Sequence, residues 1–80
     1  MINIFYIKKG DYVRVIEYKR NIWGVIDHQI ECIKRIENIY NESHGNRTFI
    51  FKDSTAWTFC KEGIARGSYD RKIEQILEIL

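Results

Sequence analysis

The first sustained pattern along the chain is alternation from Asp11 to Tyr18, with Val13 and Val15 on one face and Tyr12, Arg14, Ile16 and Tyr18 on the other. It predicts a half-buried strand. A polar turn, Lys19 to Asn21, leads into the apolar run Ile22-Trp-Gly-Val-Ile26, where Gly24 suggests a bulge or a close backbone approach. The two runs together predict a hairpin. A second hairpin is predicted from Arg47 to Cys60, with Asp53-Ser54 as a two-residue turn. That turn sets Ile50 opposite Trp57 and Thr48 opposite Phe59 on one face, and Phe49 opposite Thr58 and Phe51 opposite Ala56 on the other. Aromatic rings then lie on both faces, and the face turned from the core needs a cover.

Two covers are open, an external ligand or a C-terminal helix, which is expected over about residues 68–80. Gly67 precedes Ser68 as a candidate N-cap, Asp70 sits in the first turn, and Tyr69, Ile73, Ile76, Leu77 and Leu80 form an apolar stripe. Arg71, Lys72, Glu74, Gln75 and Glu78 face away from it. The stretch His28–Glu42 supports two readings. Cys32, Ile33, Ile36, Ile39 and Tyr40 fit one face of a helix, and Glu31 and Arg35 are spaced as a helical ion pair. Its β-branched residues argue for a strand, and the turn-like Asn41–Asn46 would join that strand at Tyr40 to the one starting at Arg47.

Composition sharpens this picture. Eighty residues form one small domain with a thin core. Fifteen isoleucines against two leucines and two alanines favour a pleated surface. A formal charge of +2 is too small for a polycation of the ribosomal or histone kind. Two cysteines, Cys32 and Cys60, without CxxC spacing fit a reducing compartment. Lys8 and Lys9 cut short the apolar N-terminus, so neither an export signal nor a membrane partner is expected, and the expected location is cytoplasmic. Heavy use of Ile, Lys and Asn matches AT-rich coding, as in many phages and mobile elements.

Lys8-Lys-Gly-Asp-Tyr-Val-Arg-Val-Ile16, followed after a basic turn by Gly24-Val-Ile26, resembles the opening of KOW-type and other SH3-like small barrels. Thr48-Phe-Ile-Phe-Lys-Asp-Ser-Thr-Ala-Trp-Thr-Phe59 is similar to the final hairpin of small SH3-like proteins. The residues between Tyr18 and Gly24 lack the usual KOW glycine, and a long segment separates Gly24 from the later hairpin. What the resemblance implies is the barrel; no nucleic-acid site is carried over from it, a KOW/SH3-like nucleic-acid-binding protein stays the alternative function, and the middle segment is weighed toward a long, bent strand. The expected fold is mainly β: a small SH3-like barrel of five or six strands over about residues 1–60, with a C-terminal α-helix over about 68–80, in a single domain of residues 1–80. The alternative is an α+β fold with a second helix at about 28–42.

The residues that could carry chemistry have plainer structural roles. His28 and Cys32 would share a face on a helix, and His44 and Cys60 could complete a zinc set, but the spacing fits no finger or ribbon, so no metal is expected. Cys60 has no histidine beside it in sequence and reads as a structural thiol. Glu17 and Asp27 can be drawn as an acid-base pair, yet eleven scattered carboxylates always yield one, and they read as solvated surface. Gly63 and Gly67 bracket Ile-Ala-Arg without a phosphate-loop fingerprint and read as a flexible lead into the helix. Neither an enzyme nor a cofactor is expected.

Two binding readings remain. Arg14, Lys19, Arg20, Lys34, Arg35, Arg47 and Lys52 could gather with Tyr18 and Trp23 as a nucleic-acid surface. The favoured reading is a non-enzymatic module that binds and modulates a larger protein through an open strand edge or an aromatic face, in one form a phage or mobile-element protein directed at a host machine. Its expected partner-binding residues are Tyr12, Arg14, Tyr18, Lys19, Arg20 and Trp23. A core Trp23 rimmed by tyrosines is the structural reading of the same residues. A homo-oligomer, in which a second copy covers the spare aromatic face, is the remaining partner option.

Overall fold

Asp11 shapes the entry to the first strand. Its carboxylate accepts the Lys8 N–H at 2.9 Å and its own N–H donates to Lys8 O at 3.0 Å, a turn that Gly10 permits at φ 94°. The chain leaves as β1 (Tyr12–Arg20), then β2 (Ile26–Asn41), β3 (Arg47–Phe51), β4 (Ala56–Phe59), β5 (Ile64–Arg66) and β6 (Lys72–Ile79). The computed structural model describes residues 2–67 and 71–80, and these form one antiparallel sheet in the order β4-β3-β2-β1-β6-β5, curled into a nearly closed barrel. Apart from two single-turn 3-10 helices, Ile4–Tyr6 and Ser43–Gly45, the described residues contain no helix. None is long and apolar enough to cross a membrane.

The middle segment is the long, bent strand that the sheet-like reading expects. The first half of β2 pairs with β1 and the second half with β3; a register shift between Ile36 and Asn38 marks where the strand changes neighbours. The helix alternative at about 28–42 is not realised. As expected, Val13 and Val15 point into the core while Tyr12, Arg14, Ile16 and Tyr18 line the other face of β1.

The expected C-terminal helix is corrected to a strand. β6 lies between β1 and β5, with Ile73 opposite Tyr18 and Arg66, and Ile76 opposite Val15. The register passes over Leu77, a bulge that changes which side of the strand faces inward. Glu74 and Ile76 face the interior before the bulge, and Ile79 packs on the core after it. The spacing of three from Ile76 to Ile79 thus arises from a bulge and imitates a helical stripe. Ser68, Tyr69 and Asp70, the expected cap, ring and first-turn acid, lie outside the described residues.

The β3–β4 register also differs from expectation, by one residue. Phe49 faces Trp57, Arg47 faces Phe59 and Thr48 faces Thr58. The loop has three residues rather than two: Phe51 N–H donates to Thr55 O, Ser54 N–H donates to Phe51 O, and Ser54 sits at φ 71°. Asp53 fixes it by accepting the Thr55 N–H at 3.0 Å. This single step moves Phe49, Phe51, Trp57 and Phe59 to one face. Phe49 and Phe51 lie 5.6 and 6.2 Å from the Phe59 ring, and all three are buried. The outer face keeps Thr48, Ile50, Ala56 and Thr58, with the two threonine hydroxyls 2.7 Å apart. No spare aromatic face remains on this hairpin.

The N-terminal turn plugs the barrel with Ile4 and Ile7, and Arg47 donates to both of their carbonyls at 3.1 and 3.3 Å. Gly63 is a packed position, not a flexible lead: a Cβ there would stand 2.8 Å from the Ile2 side chain.

Candidate functional site

β1 stays paired with β6 as far as Lys19, so the uncovered arm of the β1–β2 hairpin is its turn and the first half of β2. Every residue from Ile22 to Glu31 is exposed, on both faces of the ribbon. Its tip is self-supporting: the Asn21 side chain accepts the N–H groups of Trp23 and Val25 at 2.9 and 3.1 Å, and Asn21 N–H donates to Val25 O. Ile22 is 72% exposed and Trp23 80% exposed.

The arm has one paired edge and one open edge. Ile36 exchanges backbone bonds with Gly10 and Asp11 on the β1 side, whereas Arg35 O accepts the Lys52 N–H on the opposite side. Strand alternation then directs the N–H and C=O groups of Gln29, Glu31 and Ile33 away from β1. Among the described residues no strand pairs with them, because β3 begins to pair with β2 only at Ile36. Ile30 and Ile33 are exposed on opposite faces beside this edge.

The six residues expected to bind a partner are all on this hairpin but do not form one patch. Lys19, Arg20 and Trp23 gather at the tip, where Arg20 donates to Gly24 O at 3.2 Å. Tyr18 lies beside them with His28 and Lys72. Tyr12 and Arg14 sit at the opposite end of β1, about 20 Å or more from the tip at strand rise. Tyr12 is exposed beside Ile33 and Lys52, and Arg14 pairs with Glu78 at 2.7 Å and Glu31 at 3.5 Å. The wider basic set does not gather either: Lys34 is buried, Arg35 pairs with Glu37, and Arg47 binds the N-terminal carbonyls.

A second polar feature lies inside the barrel. Lys34 Nζ lies 3.1 Å from Glu17 Oε1, 3.3 Å from Glu74 Oε1 and 3.3 Å from Asp53 Oδ2, and donates to Thr55 Oγ1 at 3.2 Å. It stands 4.9 Å over the Phe51 ring. Lys34 is 8% exposed and Glu74 is 0% exposed, with Glu74 Oε2 unpartnered among the described residues. Lys72 joins from the side, 3.7 Å from Glu17 and over the Trp57 ring.

Burial pushes the Glu74 carboxyl up; the Lys34 charge pulls it back, Glu17 adds to the rise, and the net direction is upward. Burial alone would lower Lys34, but its hydrogen bond to Glu17 and the charges of Glu74, Glu17 and Asp53 outweigh that and raise it. Lys34 is thus held as an ammonium, a poor nucleophile and base. Cys32 is likewise raised by burial, which keeps it a thiol despite the Lys34 charge. The expectation that all carboxylates are solvated is corrected by Glu74. Its residue type between Ile73 and Ile76 gives no signal of burial, because a charge in an amphipathic run reads as the outer face.

His28 and Cys32 share one side of a strand rather than a helix face, so about 13 Å separates them along β2. Among the described residues no three His, Cys, Asp or Glu side chains group to hold a metal ion. No protein family, characterised protein or solved structure matches the chain.

Proposed function

We propose that this chain is a protein-binding module that works by occupancy, docking an extended segment of a larger protein onto the free edge of β2. The observation that carries the reading is the unpaired backbone of Gln29, Glu31 and Ile33 on an arm exposed along both faces. A strand added there gains main-chain hydrogen bonds, and its alternating side chains meet Ile30 on one face and Ile33 on the other. Trp23 and Arg20 at the tip supply residue types that anchor interfaces. A mode of action without chemistry is supported by the locked Lys34 ammonium and the raised Cys32 thiol. The Gly10-Asp11 turn feeding a strand with inward Val13 and Val15 supports reading the near-barrel as SH3-like.

Glu31→Pro tests the reading, since proline is tolerated on an edge strand but removes the N–H a partner strand would use. Wild type and variant serve as baits in nuclease-treated extract of the encoding organism, followed by hydrogen exchange on the purified complex. The expected result is a protein partner retained by wild type, lost by the folded variant, and protecting the Gln29, Glu31 and Ile33 amides. Equal retention by the proline variant, or a complex that leaves those amides unprotected, overturns it.

A further inference from the structure

Three arginines converge on one cleft from three strands. Arg20 ends β1, Arg66 ends β5 and Arg71 leads into β6. Arg20 N–H donates to Arg71 O at 3.3 Å, and Arg66 stands opposite Ile73 in the β5–β6 ladder. With Ile73 and the hairpin residues Ile22 and Gly24 they line a cleft of about 300 Å³. No Asp or Glu lines it among the described residues.

Lys72 also lines the cleft, so four cations share it. Arg14, Lys34, Arg35 and Lys72 each face a carboxylate, whereas Arg20, Arg66 and Arg71 face none among the described residues. A guanidinium does not shed its proton, so the three bring a fixed positive charge to the cleft that favours an anion there. Arg20 uses one donor on Gly24 O at 3.2 Å, which steadies its head over the hairpin turn and leaves its other N–H groups for a ligand. Forked N–H donors from several directions match the oxygens of a phosphate. Ile73 within the cleft and Ile22 beside it offer apolar contact to whatever carries that phosphate.

We propose that Arg20, Arg66 and Arg71 form a binding site for a phosphate group, borne by a small phosphate ester or by a nucleic-acid backbone. The cleft shares Arg20 and Ile22 with the protein-binding reading, whereas Arg66 and Arg71 belong to it alone, so the test is placed on those two.

The test follows the arginine Nε–Hε signals of the full chain by NMR at low ionic strength, during titration with inorganic phosphate, AMP and a short single-stranded oligonucleotide. Saturable shifts at Arg66 and Arg71 are expected. Arg66→Gln and Arg71→Gln should each weaken binding about tenfold, while Lys9→Gln, an equal charge loss outside the cleft, leaves it unchanged. AMP binding at least as tightly as the oligonucleotide assigns the site to phosphate esters. A tighter oligonucleotide whose affinity falls steeply with salt assigns it to a nucleic-acid backbone. Absence of saturable shifts with all three ligands overturns the site, and so does a Lys9→Gln loss equal to that of Arg66→Gln, which would mean diffuse attraction to net charge.

Discussion

Lys34 carries a charge that the barrel interior tolerates only because three carboxylates and a hydroxyl surround it. The members of this cluster respond to pH in different windows. The unfolded chain releases the Glu74 proton near the ordinary carboxylate value and the folded chain at a higher one, so the folded state binds the proton more tightly between the two. The contribution of Glu74 to stability therefore falls as pH rises through that window. Lys34, raised overall, contributes fully below the ordinary lysine value and loses its contribution as pH climbs through its folded value. Asp53, lowered first by the Thr55 hydroxyl, contributes above the ordinary aspartate value and loses it as pH falls through its folded one. Glu74→Gln should accordingly gain stability relative to wild type as pH rises from the ordinary glutamate value through the higher folded one, measured by urea unfolding at a series of pH values. Lys34→Met leaves Glu17, Asp53 and Glu74 facing one another and should cost about 3–5 kcal/mol at neutral pH, a cost that shrinks on acidification. Parallel pH profiles for wild type and Glu74→Gln would exclude this linkage. None of the cluster is legible in the sequence, where its members stand at positions 17, 34, 53, 55 and 74, and only the closed sheet brings them together.

At the scale of elements, β1 and the central segment are legible through a period of two or a strong β-branched bias. The run Ile22–Ile26, expected as the second hairpin strand, instead forms the turn up to Val25, and Lys19 and Arg20, expected as the turn, extend β1. Two features hide the rest. In β6 a buried Glu74 replaces the apolar residue that alternation needs, and the Leu77 bulge sets Ile76 and Ile79 three apart. In the β3–β4 hairpin the left-handed Ser54 adds a loop residue without the glycine that usually announces it. The two features are linked, since a two-residue turn at Asp53-Ser54 places rings on both faces and leaves one of them in need of a cover. The true sheet makes a sharp contrast between two positions. Gln75 on β6 pairs with both Ile16 and Ile64, while Glu31 pairs with Ile16 alone. Gln75→Pro should cost at least about 2 kcal/mol or prevent folding, because a ladder bond is lost between two occupied neighbours. Glu31→Pro should cost less than about 1 kcal/mol. Comparable losses in the two thermal melts would mean that the β2 edge is not open.

The whole molecule divides into a thin-cored body and an arm that adds little to it. A small domain has only about 5–15 kcal/mol of net stability, so a few rings hold a large share of it. Phe59 is buried against both Phe49 and Phe51, and Phe59→Ala should cost about 3–5 kcal/mol, enough to leave much of the chain unfolded. The tip residues are in the opposite situation. Ile22, Trp23 and Val25 stay exposed after folding, and the turn beneath them is closed by Asn21 and by backbone bonds rather than by their side chains. Folding alone gives no reason for a tryptophan and two β-branched residues at such a position, whereas recognition does. Replacing all three with serine should leave stability within about 1 kcal/mol, a melting shift of no more than roughly 8 °C, while removing the capture of a protein partner. A melting point that drops as far as that of Phe59→Ala would place the tip in the folding core and take away the separation of arm from body on which the binding role rests.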